Sequence, residues 1–226
     1  MSDTMSDSKK LSRDRVAQLV AADIRPGSYV NIGLGMPTLV ARHLDPKKEI
    51  VLHSENGILG IEDVTPGDPG DEDLINASKA HVQLIPGASI CDQSLSFSMM
   101  RGGHLDATIL GAFQVSSEGD IASWATDDTD AVPGIGGAMD LVAGARKVIV
   151  VMEHTTRDGK PRLLRHCTFP LTGKGAVDTV YTDMAIIDVD PQRGFVVRAL
   201  AAGVSRDELQ AATEAPLTFP DDLTLI

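Results

Sequence analysis

The feature that most narrows the fold of this chain is a repeated unit in its first half, a short apolar run that breaks at glycine. Tyr29-Val30-Asn31-Ile32 runs into Gly33-Leu34-Gly35-Met36-Pro37, and Pro37 suits the first turn of a helix reaching Leu44. The run at 49–52 leads into Glu55-Asn56-Gly57, that at 81–85 into Pro86-Gly87, and that at 107–110 into Gly111-Ala112. Short apolar strands separated by helices bury both of their faces. The expected fold is therefore α/β, a three-layer, mostly parallel open sheet with helices on both faces. Ser12 is placed to cap a helix in which Val16, Leu19, Val20 and Ile24 recur at three- and four-residue spacing, and Pro26-Gly27 ends it. The run at 147–152 is the strongest buried-strand candidate. Those at 180–189 and 195–200 have no helix between them, which predicts antiparallel additions near the C-terminus before a last helix at 205–213. No solenoid period or low-complexity linker divides the chain. Residues 11–215 are read as one domain, preceded by a flexible segment at 1–10.

Charge and motif content remove several classes of function. Lys and Arg number 20 against 32 Asp and Glu, a net charge of -12, which argues against a surface that wraps nucleic acid or coats an anionic membrane. Residues 1–10 lack the apolar core of a signal peptide. The longest aliphatic run, at 148–152, is far short of the roughly 20 residues a membrane span needs. A cytoplasmic protein with neither nucleic acid nor membrane as partner is expected. Cys91 and Cys167 have no CxxC spacing, so neither a disulfide framework nor a zinc knuckle is indicated. Gly33-Leu34-Gly35 is only half of a dinucleotide fingerprint, because Thr38 stands where the third glycine belongs. Phosphate-loop, HExxH and GxSxG motifs are missing. The six histidines are scattered; His53 and His154 read as packed or solvent-facing residues. His166 and Cys167 would point to opposite faces of a strand, which weakens them as a catalytic pair. Glu62, Asp63, Asp68, Asp71, Glu72 and Asp73 cluster among prolines and glycines. They read as a solvated surface loop, with a lid over a site as the alternative.

Two segments carry candidate chemistry. Pro133-Gly134-Ile135-Gly136-Gly137-Ala138-Met139-Asp140 is a glycine loop ahead of a helical stretch. Its backbone N–H groups, with no side chains in the way, suit a developing oxyanion or a phosphate, while a tight turn or close packing is the structural alternative. In Ser54-Glu55-Asn56-Gly57-Ile58-Leu59-Gly60, a glutamate closes an apolar strand at the end where open α/β sheets place ligands. Position alone leaves Glu55 open as general base, metal ligand, surface residue or nucleophile.

Taken with the Val30-to-Thr38 segment upstream and the Gly134-to-Val142 segment downstream, Ser54-Glu55-Asn56-Gly57 with Leu59-Gly60 resembles the B (beta) subunit of the 3-oxoacid CoA-transferases. The likeness runs over about residues 11–213, with further matches in the stretches at 99–106 and 152–154. It departs after Gly60, where Ile61-Glu62 replaces the usual further glycine. The resemblance implies that Glu55 is the nucleophile and that Asn31 and Lys79 contact CoA. It further implies that the backbone amides of Gly136 and Gly137 stabilise the oxyanion and touch CoA. No metal and no cofactor is implied, since the CoA thioester is itself a substrate. The implied partner is an A (alpha) subunit, a separate chain supplying the opposing wall of the site, in a heterotetramer of two A and two B. The implied activity moves CoA from succinyl-CoA to a 3-oxoacid such as acetoacetate, by a ping-pong route through a glutamyl-CoA thioester on Glu55. Enzymes acting on 3-oxoadipate, and on acetate and acetoacetate, share these motifs. A thioester hydrolase on the same scaffold and a non-catalytic metabolite-binding α/β domain are the other readings.

Overall fold

The computed structural model describes residues 9–126 and 134–226, so Pro133 of the glycine loop lies outside the described residues. Helix α1 (Arg13–Asp23) begins where Ser12 caps it, the hydroxyl accepting from the Arg15 N–H, and it buries Val16, Ala17, Val20 and Ala21. Strand β1 (Tyr29–Ile32) follows. The helix expected from Pro37 onward is a 3₁₀ helix, Met36–His43. Gly35 precedes it at a φ of 83° and offers no side-chain cap. The Thr38 N–H therefore closes three residues back onto the Gly35 carbonyl, the tighter 3₁₀ pattern.

After a 3₁₀ turn at Pro46–Lys48 come β2 (Val51–Ser54), β3 (Ile58–Asp63), β4 (Val82–Ile90) and α2 (Gln93–Arg101). Next are β5 (Ala107–Leu110), β6 (Gln114–Ser116), β7 (Ile121–Ala122), α3 (Ala138–Gly144), β8 (Val148–Val151) and β9 (Leu163–Leu164). The last stretch holds β10 (Thr179–Tyr181), β11 (Ala185–Asp190), β12 (Gly194–Leu200), α4 (Arg206–Ala211), β13 (Leu217–Thr218) and β14 (Thr224–Leu225). Eleven strands form the main sheet in the order β13-β12-β11-β10-β8-β5-β1-β2-β3-β4, with β14 also on β12. A small sheet, β7-β6-β9, stands apart.

The centre of the main sheet, from β10 through β8, β5 and β1 to β2, is parallel. Both flanks turn antiparallel. The C-terminal flank, β10-β11-β12, follows the sequence expectation. The other flank, β2-β3-β4, is a finding of the structure. The run at 81–85 does not end at Pro86-Gly87; β4 continues to Ile90, and residues 85–88 bulge out opposite Gly60, because Leu59 pairs with Ser89 while Ile61 pairs with Leu84. Proline cannot donate to a ladder, and a bulge in an edge strand is where it is tolerated.

Val148 and Val150 of β8 face one apolar core with Phe195, Val197 and Leu209, while Ile149 and Val151 face a second core with Val16 and Val20 of α1. This alternation on a fully buried strand makes the three layers. At the chain ends, Lys9 and Lys10 form ion pairs with Glu208 and Asp183, and β13 and β14 extend the sheet past residue 215. Among the described residues, no helix is long and apolar enough to cross a membrane.

Candidate active site

The carboxyl ends of β1, β2, β5 and β8 open into a cleft of about 890 Å³, whose lining includes Asn31, Gly33, Glu55, Gly111, Gly137 and Met152. Glu55 stands just past β2, in the three-residue turn to β3. The Gly57 N–H closes that turn onto the Ser54 carbonyl at 3.0 Å. Gly57 is required there twice over: its φ is 111°, and a Cβ would collide with the Cys91 carbonyl oxygen. Asn-Gly between apolar residues is a strong hairpin signal, and it locates the antiparallel flank that the strand-loop-helix reading passes over.

The Glu55 carboxylate is half-buried and accepts a hydrogen bond from the Gly137 N–H. Burial lifts its pKa above the ordinary glutamate value; the Gly137 bond opposes that shift, and the charge of Asp140 adds to it. Asp140 is itself paired with Arg101 at 2.6 Å. A Cβ on Gly137 would fall inside contact distance of Glu55 Oε2, so the backbone approaches the carboxylate as only glycine permits. Gly136, at a φ of 53°, lines the same wall.

Behind Glu55 lies a buried polar chain. Asn31, only 3% exposed, directs Nδ2 to both the His53 carbonyl at 3.2 Å and His53 Nδ1 at 3.1 Å. A carbonyl oxygen accepts only, so the amide nitrogen must face it; His53 Nδ1 then accepts, and Nε2–H donates to Ser96 Oγ at 2.9 Å. Burial lowers the His53 pKa to about 4, which keeps the ring neutral and this tautomer in place. Asn31 lines the cleft, yet its side-chain donor is committed to His53.

Lys79 does not line the cleft. It is exposed, at a φ of 63°, in a turn whose earlier residues Asn76, Ala77 and Ser78 do line it. That turn is fastened to the Glu55 loop: the Ala77 N–H donates to Ser54 Oγ at 2.8 Å, and Asn56 Nδ2 donates to the Ile75 carbonyl at 2.8 Å. Asp68, Asp71, Glu72 and Asp73 are exposed, whereas Glu62 and Asp63 also line the cleft. His166 and Cys167 lie in an irregular segment, not a strand; the Cys167 thiol is pushed up to about 12 by burial and by Asp120, so it is no nucleophile at neutral pH. Among the described residues no group of three or more His, Cys, Asp or Glu side chains is arranged to hold a metal ion.

His53, Ser96 and Arg162 belong to the site or its support and were not singled out from sequence for that role. His53 carried a readable signal, lying two residues before Glu55 at the period that returns to the same face of a strand. Ser96 on α2 and Arg162 beside β9 had none, since only the tertiary fold brings Ser96 against His53 and Arg162 to the cleft.

A mostly parallel open sheet with its cleft at the strands' carboxyl ends defines an α/β protein of the open-sheet class. The chain belongs to the coenzyme A transferase family, whose pattern matches residues 13–212. It is 51% identical over 214 residues to the B chain of a 3-oxoadipate CoA-transferase from Pseudomonas putida, covering 94% of this chain and 99% of that one. It is 42% identical over 212 residues to the beta chain of the acetate CoA-transferase from Escherichia coli K12, with coverage of 94% and 96%. An acyl-CoA transferase apoenzyme structure from Escherichia coli O157:H7 superimposes with a TM-score of 0.75 at 22% identity. That match covers 95% of this chain but spans only 43% of the longer one, and it speaks to the fold alone.

Proposed function

We propose that this chain is the nucleophile-bearing subunit of a 3-oxoacid CoA-transferase that works by covalent transfer through Glu55. The observation that carries the reading is the Glu55 carboxylate, half-buried at the carboxyl end of the sheet and held against the Gly137 amide.

Transfer must move a thioester between carboxylates without losing its free energy to water. The Glu55 carboxylate attacks the acyl-CoA carbonyl, the C–S bond breaks, and CoA leaves as thiolate from an acyl-glutamyl anhydride. The thiolate then attacks the glutamyl carbonyl, releasing the first acid and leaving a glutamyl-CoA thioester. The incoming acid reverses these steps. Each attack forms a tetrahedral oxyanion, and a backbone donor such as Gly136 or Gly137 N–H stabilises it by roughly 3 kcal/mol. The Gly137 donor is held by Glu55 at rest and passes to the oxyanion once the carboxylate is acylated. A raised pKa makes Glu55 a stronger nucleophile when ionised, and burial limits competition from water. The neutral Asn31-His53-Ser96 chain fixes the strand end from which Glu55 projects. Lys79, at the rim, is placed to meet a CoA phosphate as a point charge.

An A-type subunit completes the site in this reading; the bacterial relatives are named as B and beta subunits, which implies a partner chain for those proteins. Identity to the 3-oxoadipate enzyme, higher than to the acetate enzyme, favours 3-oxoadipate over acetoacetate as acceptor. Succinyl-CoA remains the proposed donor. The test is mass spectrometry of the assembled enzyme incubated with acyl-CoA and no acceptor. The expected adduct is CoA less one water, on the peptide containing Glu55. Thioester consumption without any adduct on this chain would leave hydrolysis or general-base catalysis as the better account.

A further inference from the structure

Basic residues in the cleft have unequal commitments. Among the described residues, Lys10, Arg13, Arg157 and Arg162 line it. Lys10 pairs with Asp183 at 2.9 Å and Arg13 with Glu153 at 2.7 Å, while Arg157 is exposed. Arg162 differs from all of these. Its residue is half-buried, its Nε is out of contact with solvent, and that Nε has no hydrogen-bond partner. No ion pair to its guanidinium is formed among the described residues. The sealed Nε is closed to a ligand as it is to water; the terminal Nη1 and Nη2 groups, neither sealed nor paired among the described residues, are the part of the side chain that can meet one in the cleft.

The support beneath Arg162 is rigid. Its N–H donates to the His154 carbonyl at 3.2 Å, Thr155 bridges Pro161, and Leu163 on its other side is fully buried in β9. His154 is locked in turn between Thr182 Oγ1 at 3.0 Å and Thr213 Oγ1 at 2.8 Å. The backbone beneath the side chain is thus fixed, and the guanidinium it carries is a planar fork that matches a carboxylate. The rest of the cleft wall carries Glu55, Glu62 and Asp63, on a chain of net charge -12, so an anionic acid needs an uncommitted cation to enter.

We infer that Arg162 is a specificity-determining residue that binds the free carboxylate of a dicarboxylic substrate, the one not engaged in the thioester. The inference rests on the CoA-transfer reading. It divides the labour of the cleft: Glu55 handles the reacting carboxylate, and Arg162 holds the far end of the acid. Both succinyl-CoA and 3-oxoadipate have such a far end, whereas acetate and acetoacetate do not.

The test compares length-matched acids, adipate against hexanoate, on the enzyme assembled with its A-type subunit. Calorimetric binding and competition against acyl transfer are both measured, for the native protein and for Arg162→Gln and Arg162→Lys. The native protein should prefer the dicarboxylate by about 10- to 150-fold, the range set by one hydrogen bond to a charged group. Arg162→Gln should abolish that preference with little change for hexanoate, and Arg162→Lys should restore part of it. A native protein with no preference, or a preference that survives in Arg162→Gln, overturns the inference. So does an equal loss for both acids accompanied by a raised KM for acyl-CoA, which would assign the guanidinium to CoA phosphate. Binding needs no turnover, so a preference lost in Arg162→Gln without any Glu55 adduct would sustain this assignment while sinking the covalent mechanism.

Discussion

The two flanks of the main sheet use the same antiparallel pairing and are built to different ends. On the C-terminal flank Tyr181, Ile187, Phe195 and Val197 have at most 1% of their surface exposed. On the opposite flank β4 alternates buried and exposed positions only loosely, and Ile90 keeps 62% of its surface in solvent. Glu55 sits where the parallel centre meets this thinner flank. The difference teaches that stability and chemistry are separated along the sheet. A reactive, half-buried carboxylate costs stability, and it is placed where little packing depends on it.

That separation can be broken most severely at Glu55, the proposed nucleophile. Glu55→Gln should remove both adduct and transfer beyond detection, while Glu55→Asp, which withdraws the carboxylate by on the order of 1.5 Å, should keep a trace of both. Neither change should lower Tm, and a fall in Tm comparable to that of a core truncation would contradict the division. On the opposite flank, Phe195→Ala should cost about 3–5 kcal/mol in urea denaturation. The molecules that stay folded should still form the Glu55 adduct, so loss of adduct in a folded Phe195→Ala protein would show the flanks to be coupled.

A smaller effect is expected at Gly137→Ala. The added methyl group must displace the Glu55 carboxylate, and a shift of about 1 Å costs roughly 100-fold in turnover with little change in Tm. Near-normal turnover would return this glycine to a purely structural role.

The mildest test is pH. His53 and His154 both have pKa values lowered to about 4 from 6.5, chiefly by burial. The unfolded chain therefore takes up protons first as pH falls, and the stability these rings contribute is full above pH 6.5 and is lost progressively toward pH 4. Glu55 has the opposite sign. Its raised pKa means that the native state holds the proton more tightly, so ionised Glu55 opposes folding at neutral pH. Glu55→Gln should accordingly raise Tm slightly at pH 7, a gain that fades as pH drops through the ordinary glutamate range. A gain that persists at low pH would trace the effect to packing and not to charge.

Much of this arrangement was legible in the sequence where local rules dominate. Ser12 and the apolar run of β8 announced their elements because caps and buried strands depend on nearby residues. The helix at Met36–His43 was legible from Pro37, but its 3₁₀ type was not, because Pro37 is compatible with either helix type. The bulge at 85–88 was hidden because register depends on the partner strand, not on β4 itself. In the site, Glu55 and the glycine loop were readable as motifs. Arg162 was not, since only the folded chain brings the segment after His154 to the cleft and leaves its guanidinium without an ion pair among the described residues.

The two hydrogen bonds that join the nucleophile turn to residues 75 and 77 also bear on how such a chain can diverge. Residues 66–69 and 71–73 are exposed, and lengthening a surface loop costs closure entropy only as the logarithm of its length. Insertions there should pass almost unnoticed, whether by drift or by a designer adding a label. A single residue inserted or deleted a few positions later, at 75–77, pulls through these backbone atoms directly on Ser54 and Asn56, on either side of Glu55. Tolerance to change thus falls from near complete to near zero within one short loop, and related chains should vary in length before that point and hold their spacing after it.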